Sequence, residues 1–248
     1  MRVISGDSDW INFLLRVGNG TENDEDGRVT LPAELMCAGN IMTAVYGENI
    51  DARDTDTLST RAILAPRNRS VDQLNTEVLS RMNSEERIYK SIDEAVAEDP
   101  SDAINFQPEF LHKLDPSGVP PHELRLRKGA IVMLLRSLGV SAGLCNGTRL
   151  VVEQFGSHTL GCRFTCGNRK GRYVILPRID YYSDRGLSFR LRRTQFPIRL
   201  AFSLSVNKAQ GQSFDRIGLC LPEDVFFFSW TTVCSSVTSE KQGTPFCS

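Results

Sequence analysis

The sequence has no unbroken apolar stretch of about 18 residues, the minimum for a membrane-spanning helix, and its opening MRVISGDSDWINF lacks the apolar block of a signal peptide. Membrane spanning and secretion are disfavoured, and a soluble intracellular chain is the expectation. Cysteine is present but does not pair off. Seven residues, an odd number scattered along the chain, argue for reduced thiols over a disulfide framework. Histidine is scarce, with three residues. His112 and His122 lack the partner pattern of a hydrolase triad. His158, Cys162 and Cys166 fall at four-residue intervals but give only three local donors where structural zinc takes four, so no metal site is expected. Also absent are a glycine-rich GxxxxGK[ST] loop that would cradle phosphates and an apolar strand ending in paired acids that would hold magnesium. No internal repeat is visible.

What is present is a chain of 248 residues, long enough for one large domain or two small ones. Its net charge of -1 conceals an opposition. Residues 1–124 carry 23 acidic and 11 basic side chains, whereas residues 125–248 carry 7 acidic and 18 basic. Of the 29 basic residues 23 are Arg, a bias toward forked recognition of phosphate or carboxylate. An anionic partner for the second half is the first expectation.

Residues 8–16 have helical apolar spacing and run into a polar, glycine-punctuated loop. RAILA (61–65) reads as a short buried strand ended by Pro66. Val71, Leu74, Val78 and Leu79 then recur at helical spacing, with Ser70 or Asn68 as the cap, which predicts a helix over 70–82. Strand, tight loop and helix form the unit of parallel α/β sheets. Residues 84–124, acidic and holding five prolines, read as irregular surface. From residue 125 the runs 130–136, 148–155, 159–166 and 172–179 are apolar, short and glycine-bounded, which predicts a small antiparallel barrel. Residues 197–206 resume a buried strand, 207–214 make a polar turn opening a helix, 216–222 form another strand, and 225–237 read as a closing helix. The aromatic cluster Phe226, Phe227, Phe228 and Trp230 reads as plain core.

The stretch richest in chemistry is FSLSVNKAQGQSFDRIGLCLPEDVF (202–226). A strand edge delivers Ser205, Asn207, Lys208, Gln210, Gly211 and Gln212 into one short turn. Hydroxyl, amide and ammonium groups around a glycine that permits close backbone approach suit an anion, either a nucleotide phosphate or a nucleic-acid backbone. RLRRTQFPIR (190–199) adds Arg190, Arg192, Arg193 and Arg199. Strand alternation places Arg190 and Arg192 on one face, where they would line a path for phosphates or form a solvated surface.

These strings resemble a family. The 202–226 stretch is similar to NKSQGQTFDRVGLDLPEPVF of the petite-integration-frequency (Pif-one-type) 5′-to-3′ DNA helicases, above all the Helitron transposon-encoded branch. RAILAPRNRSVDQLN (61–75), residues 108–155, 172–202 and 10–22 resemble the same family collinearly. The resemblance implies an α/β fold: the second RecA-like helicase lobe carrying an inserted small SH3-like β-barrel. The implied divisions are a linker over 1–56 after a missing first lobe, the lobe over 57–124 and 195–239, the barrel over 125–194 and a tail over 240–248.

By the same resemblance the function is the carboxy-terminal part of an ATP-dependent DNA helicase, incompetent alone, or else a non-catalytic remnant that binds single-stranded nucleic acid. Single-stranded DNA is the implied partner. Arg67, Asn68, Ser205, Asn207 and Lys208, with Arg190, Arg192 and Arg193, would lie along its path, and Gln210 and Gly211 would face the nucleotide. ATP and magnesium serve the full-length family, and neither is expected to bind tightly here. Ser236 stands where the family places its trans-acting arginine, and a serine cannot replace a guanidinium fork. The family further implies a nuclear setting and work in DNA repair, recombination and telomere maintenance.

Overall fold

A computed structural model describes residues 8–25, 27–37, 39–96, 106–184, 187, 189–221 and 235–238. In chain order the helices are α1 (Ser8–Asn19), α2 (Ile41–Tyr46), α3 (Thr55–Ser59), α4 (Asn68–Ser80), α5 (Pro108–Lys113) and α6 (Val206–Ala209). The first strands are β1 (Arg61–Ala65), β2 (Glu86–Lys90), β3 (Ile92–Val96), β4 (Glu123–Arg127), β5 (Ile131–Leu134), β6 (Arg149–Phe155) and β7 (Thr159–Phe164). They are followed by β8 (Tyr173–Pro177), β9 (Ile179–Ser183), β10 (Arg190–Gln195), β11 (Ile198–Leu200), β12 (Ser203–Ser205), β13 (Arg216–Leu219) and β14 (Ser235–Thr238). Among the described residues no helix is long and apolar enough to cross a membrane.

β1 forms because RAILA is apolar and partly β-branched, and it stops where Pro66 can donate no ladder bond. It lies centrally in a four-stranded sheet of order β12-β1-β13-β14, parallel to β12 and β13. α4 buries Val71, Asn75, Val78 and Leu79 and packs on β12 and β1. α2 covers β13 and β1. It is capped by Asn40, whose side chain accepts from the Met42 amide at 2.8 Å, and is ended by Gly47. The strand and helix expected over 61–82 are thus in place.

Four expectations are corrected. The cap of α4 is Arg67 without a side-chain cap bond, because the chain turns helical directly after this extended residue, leaving Asn68 and Ser70 inside the helix. The described residues of 84–124 form β2, β3, α5 and β4. Their partners are distant, β2 pairing with β4 and β3 with β10, so no local pattern announces them. Residues 235–237, expected in the closing helix, belong instead to β14, antiparallel to β13. The aromatic cluster at 226–230 and the tail lie outside the described residues.

The fourth concerns the expected barrel, which is an open five-stranded antiparallel sheet of order β11-β5-β6-β7-β8. Among the described residues no ladder joins β11 to β8. Beside it stand a three-stranded sheet, β3-β10-β9, and the β2-β4 pair. The pairings cross residues 125 and 194, since β11 closes one edge on β5 and β10 recruits β3.

One core straddles both regions. Ile63, Val78, Phe202 and Leu204 of the parallel layer cluster with Ile131, Met133 and Val151 of the antiparallel one. Arg149 fastens the seam. It is buried and donates to the carbonyls of Ser59 at 2.7 Å, Ala201 at 3.0 Å and Arg61 at 3.3 Å. A second fastening is Gly129, whose φ of +86° and contact with Ala52 admit no side chain, since a Cβ would fall 2.1 Å from the Ala52 carbonyl oxygen.

Candidate nucleic-acid interface

Ala65 at the end of β1 pairs with Ser205 at the end of parallel β12. The loop from β1 into α4 and the turn after β12 therefore leave the sheet side by side at the carboxyl ends of parallel strands, where open α/β sheets bind ligands. Arg67 and Asn68 at the start of α4 are exposed, as are Asn207 and Lys208 in the short α6, while Ser205 is half-buried. Five residues singled out from the sequence thus share one edge. Their groups are donors and neutral amides, suited to holding an anion rather than to breaking bonds.

The second turn is shaped by its own sequence. The Gln212 side-chain amide donates to the Lys208 carbonyl at 3.0 Å, its backbone N–H donates to the Ala209 carbonyl at 3.1 Å, and Gly211 takes a φ of +80°. Phe214 anchors the exit under the Arg149 guanidinium, 4.9 Å from the ring centre. Gln210 and Gly211 are exposed. A side chain at Gly211 would meet nothing within 4 Å.

The residue that positions this edge is Asn75, which the sequence reading passed over. Its side chain donates to the Ser203 carbonyl at 3.0 Å and accepts from the Ser203 amide at 2.8 Å. The amide thus does for β12, an outer strand, what a further strand would do. The signal was available: an asparagine between Val71 and Val78 occupies an apolar stripe position of α4, and a buried polar group there must have a partner.

The arginines of β10 stand apart on the three-stranded sheet. Arg190 is exposed, with its guanidinium 4.6 Å above the Tyr182 ring. Arg192 shares its face and is held by Asp180 at 2.9 Å and Glu94 at 3.0 Å. Hydrogen bonds from Thr194 and Arg192 hold the Asp180 carboxyl below the usual carboxylate range.

Arg193 corrects the expectation of a DNA contact. Its side chain is 0% exposed, bidentate to Asp93 at 2.9 and 2.7 Å. It also donates to the Leu111, Leu114 and Pro120 carbonyls. Strand alternation turns Arg193 inward, and the buried charge is met by a carboxylate on β3.

Asp93 also sits with His112 and His122, three donors within 4.8 Å of one another. Both Asp93 oxygens are already engaged by Arg193, and Ser91 Oγ lies 2.6 Å from Asp93 Oδ1 and 2.8 Å from His122 Nδ1. With its carboxylate neutralised by a guanidinium, the cluster is a hydrogen-bonded network pinning α5 to β3 rather than a cation cage. The two imidazoles stack with centres 3.8 Å apart. Cys162 is buried, its thiol pushed up to about 12 by desolvation, whereas Cys166 is exposed. A cavity of about 720 Å³ lies at the opposite end of α4, lined by Arg53, Arg81, Lys128 and Arg163 among others. Ser236 pairs through its backbone with Gly218.

Comparison with known proteins bears on the fold. The Bacteroides Pif1 helicase solved with ADP-AlF3 and ssDNA superposes with a TM-score of 0.57 at 20% identity, over 90% of this chain and 46% of that one. The Candida albicans Pif1 helicase gives 0.54 at 20% identity, over 86% and 47%. The fold is of the RecA-like helicase class. Residues 109–155 match the family model DNA helicase Pif1, 2B domain. The ATP-dependent DNA helicase PIF1 of Mus musculus is 36% identical over 127 residues, 48% of this chain and 18% of its own length. Its Homo sapiens counterpart is 33% identical over 123 residues, 48% and 19%. This chain is thus similar to the Pif1-type DNA helicases, and it spans about a fifth of the length of the curated proteins it matches.

Proposed function

We propose that the chain is the carboxy-terminal, second RecA-like lobe of an ATP-dependent 5′-to-3′ DNA helicase, and that these 248 residues bind single-stranded DNA without hydrolysing ATP. The supporting observation is the shared edge of Arg67, Asn68, Ser205, Asn207 and Lys208 at the carboxyl ends of β1 and β12. Phosphate oxygens of a single strand are the anions such forked and pointed donors fit. On this reading the antiparallel sheets are the inserted SH3-like module, and the collinear strings support assignment to the Helitron branch.

Phosphoryl transfer requires a phosphate cradle, magnesium ligands and a charge-stabilising arginine together. The sequence offers no GxxxxGK[ST] loop and no acidic strand end, and it has serine at the arginine position. The residues at hand do not fit ATP and magnesium, and no step of hydrolysis is assigned to them. That deficit favours a second reading, a non-catalytic strand-binding remnant, which shares the same interface.

The test is titration of a labelled oligothymidine at several salt concentrations beside an assay for phosphate release. Binding on the order of 10⁻⁴ to 10⁻⁶ M at physiological salt is expected, with log affinity falling linearly against log salt. The slope becomes shallower in the Arg67→Ala, Lys208→Ala double variant. DNA-stimulated phosphate release above the buffer level would defeat the proposal of an ATP-silent chain. An unchanged slope in the double variant would remove the interface.

A further inference from the structure

The face of the five-stranded sheet that packs on the parallel layer through Ile131, Met133 and Val151 carries, out at its β8 edge, an aromatic ring in an unusual setting. Tyr173 opens β8, the outermost strand on that side, directly opposite Arg163. Its side chain does not stand away from the sheet. The hydroxyl reaches across β7 to Gln154 Oε1 on β6 at 2.9 Å. The space it crosses exists because position 161 is glycine: a Cβ there would lie 1.8 Å from the tyrosine oxygen and 2.7 Å from Cζ. Gly161 thus serves as the seat of a ring laid across its strand and tied at its far end. Even so, Tyr173 is 48% exposed, and Ile175, two residues on and on the same face, is 59% exposed. Burial ordinarily accounts for such rings, and here it does not.

The approach to this ring is basic. The preceding turn brings Arg169, Lys170 and Arg172 within four residues of it. Lys170 pairs with Asp56 at 3.2 Å and Arg169 donates to the Ser141 carbonyl. With Arg163 paired to Glu153 at 2.7 Å, the cations on this side still outnumber the carboxylates. An exposed ring held flat by a hydrogen bond, with Ile175 beside it and cations at its edge, has the chemistry of a base-stacking platform. The ring has already lost its rotamer freedom, so a base landing on it orders little further.

We propose that Tyr173 stacks an unpaired base of a single-stranded nucleic acid at the exposed β8 edge of this face, with Ile175 as its apolar border and the 169–172 turn holding the neighbouring phosphates. This goes beyond the interface at the ends of β1 and β12, but it rests on the reading that the chain binds single strands.

The experiment compares, on the full chain, fluorescence anisotropy titrations of labelled oligothymidine and of an abasic strand of equal length. The variants are Tyr173→Ala, Tyr173→Phe and the Arg67→Ala, Lys208→Ala pair. Stacking on one ring predicts that Tyr173→Ala weakens oligothymidine binding roughly five- to one-hundred-fold. The abasic strand should bind that variant as it binds the parent, and the salt slope should not change. Tyr173→Phe retains the ring and should bind within a few-fold of the parent; matching thermal melts of the variants separate lost stacking from lost folding. The platform is overturned if Tyr173→Ala binds oligothymidine like the parent, or if it loses both strands equally. An effect of Tyr173→Ala with none from the Arg67, Lys208 pair upholds the platform and removes the strand-end interface; the opposite pattern removes the platform alone. If the parent binds neither strand at low salt, both are overturned.

Discussion

Two side chains show how much of this molecule is set by single polar groups. Asn75 satisfies both backbone groups of Ser203, so Asn75→Leu leaves a buried amide and a buried carbonyl without partners. Each such group costs about 1–3 kcal/mol, and a loss of about 2–4 kcal/mol is expected in urea unfolding. Asn75→Asp retains the acceptor alone and should fall between the variant and the parent. Arg193 and Asp93 are both fully buried. Removing one partner strands the other's charge, and Asp93→Ala should cost about 3–5 kcal/mol, measured the same way. Only the first role left a local sign, a polar residue on an apolar helical stripe. Arg193 reads as one more member of a basic run, and the carboxylate that draws it inward lies 100 residues earlier.

At the level of elements, α5 is the piece most exposed to pH. It packs on β3, and His112 at its end stacks on His122. Burial first, and the neighbouring His112 second, push the His122 imidazole below its ordinary value, against the pull of Asp93. A histidine whose pKa is lower folded than unfolded binds its proton more readily when unfolded. Stability is therefore full above about 6.5, the unfolded value, and declines as pH falls from there through the folded value. Urea midpoints from pH 8 to pH 5 should show that decline, and His122→Gln should flatten it. The sequence revealed β1, α4 and β5 to β8, whose apolar spacing is local and turn-bounded. It hid β2 and β3, because strands with burial on alternate positions or less read as acidic surface until β4 and β10 supply their ladders.

The whole molecule is organised around a seam. Ile131, Met133 and Val151 share a core with Ile63 and Phe202, and Arg149 and Gly129 lock the two regions backbone to side chain and backbone to backbone. Excised residues 125–194 would lose β11 and that core, and their circular dichroism and proton spectra should show no cooperative unfolding. Gly129→Ala should destabilise the full chain by at least about 1–3 kcal/mol through its left-handed backbone, with the approach to Ala52 adding to the loss. The strand-end interface was legible in its residues but not in its support: motif strings named Asn68 and Lys208, whereas the seam that holds β12 in place is a matter of distant contacts.

The bond between Asn75 and Ser203 joins positions 128 residues apart in the chain. Between them lies the whole antiparallel region, so the closure entropy of that long loop must be met before β12 can dock on β1. Parallel pairing at such separation is slow to form and belongs to the late stage of folding. The strand-end interface is then assembled last, after the intervening sheets have condensed. A substitution there acts on a contact absent from the transition state: Asn75→Leu should speed unfolding in proportion to its loss of stability and leave the refolding limb of the chevron where it was. The order of events also runs in reverse, so the strand-end edge proposed to meet single-stranded DNA is the first to let go under denaturant, and a bound strand would act as a kinetic clasp on the fold.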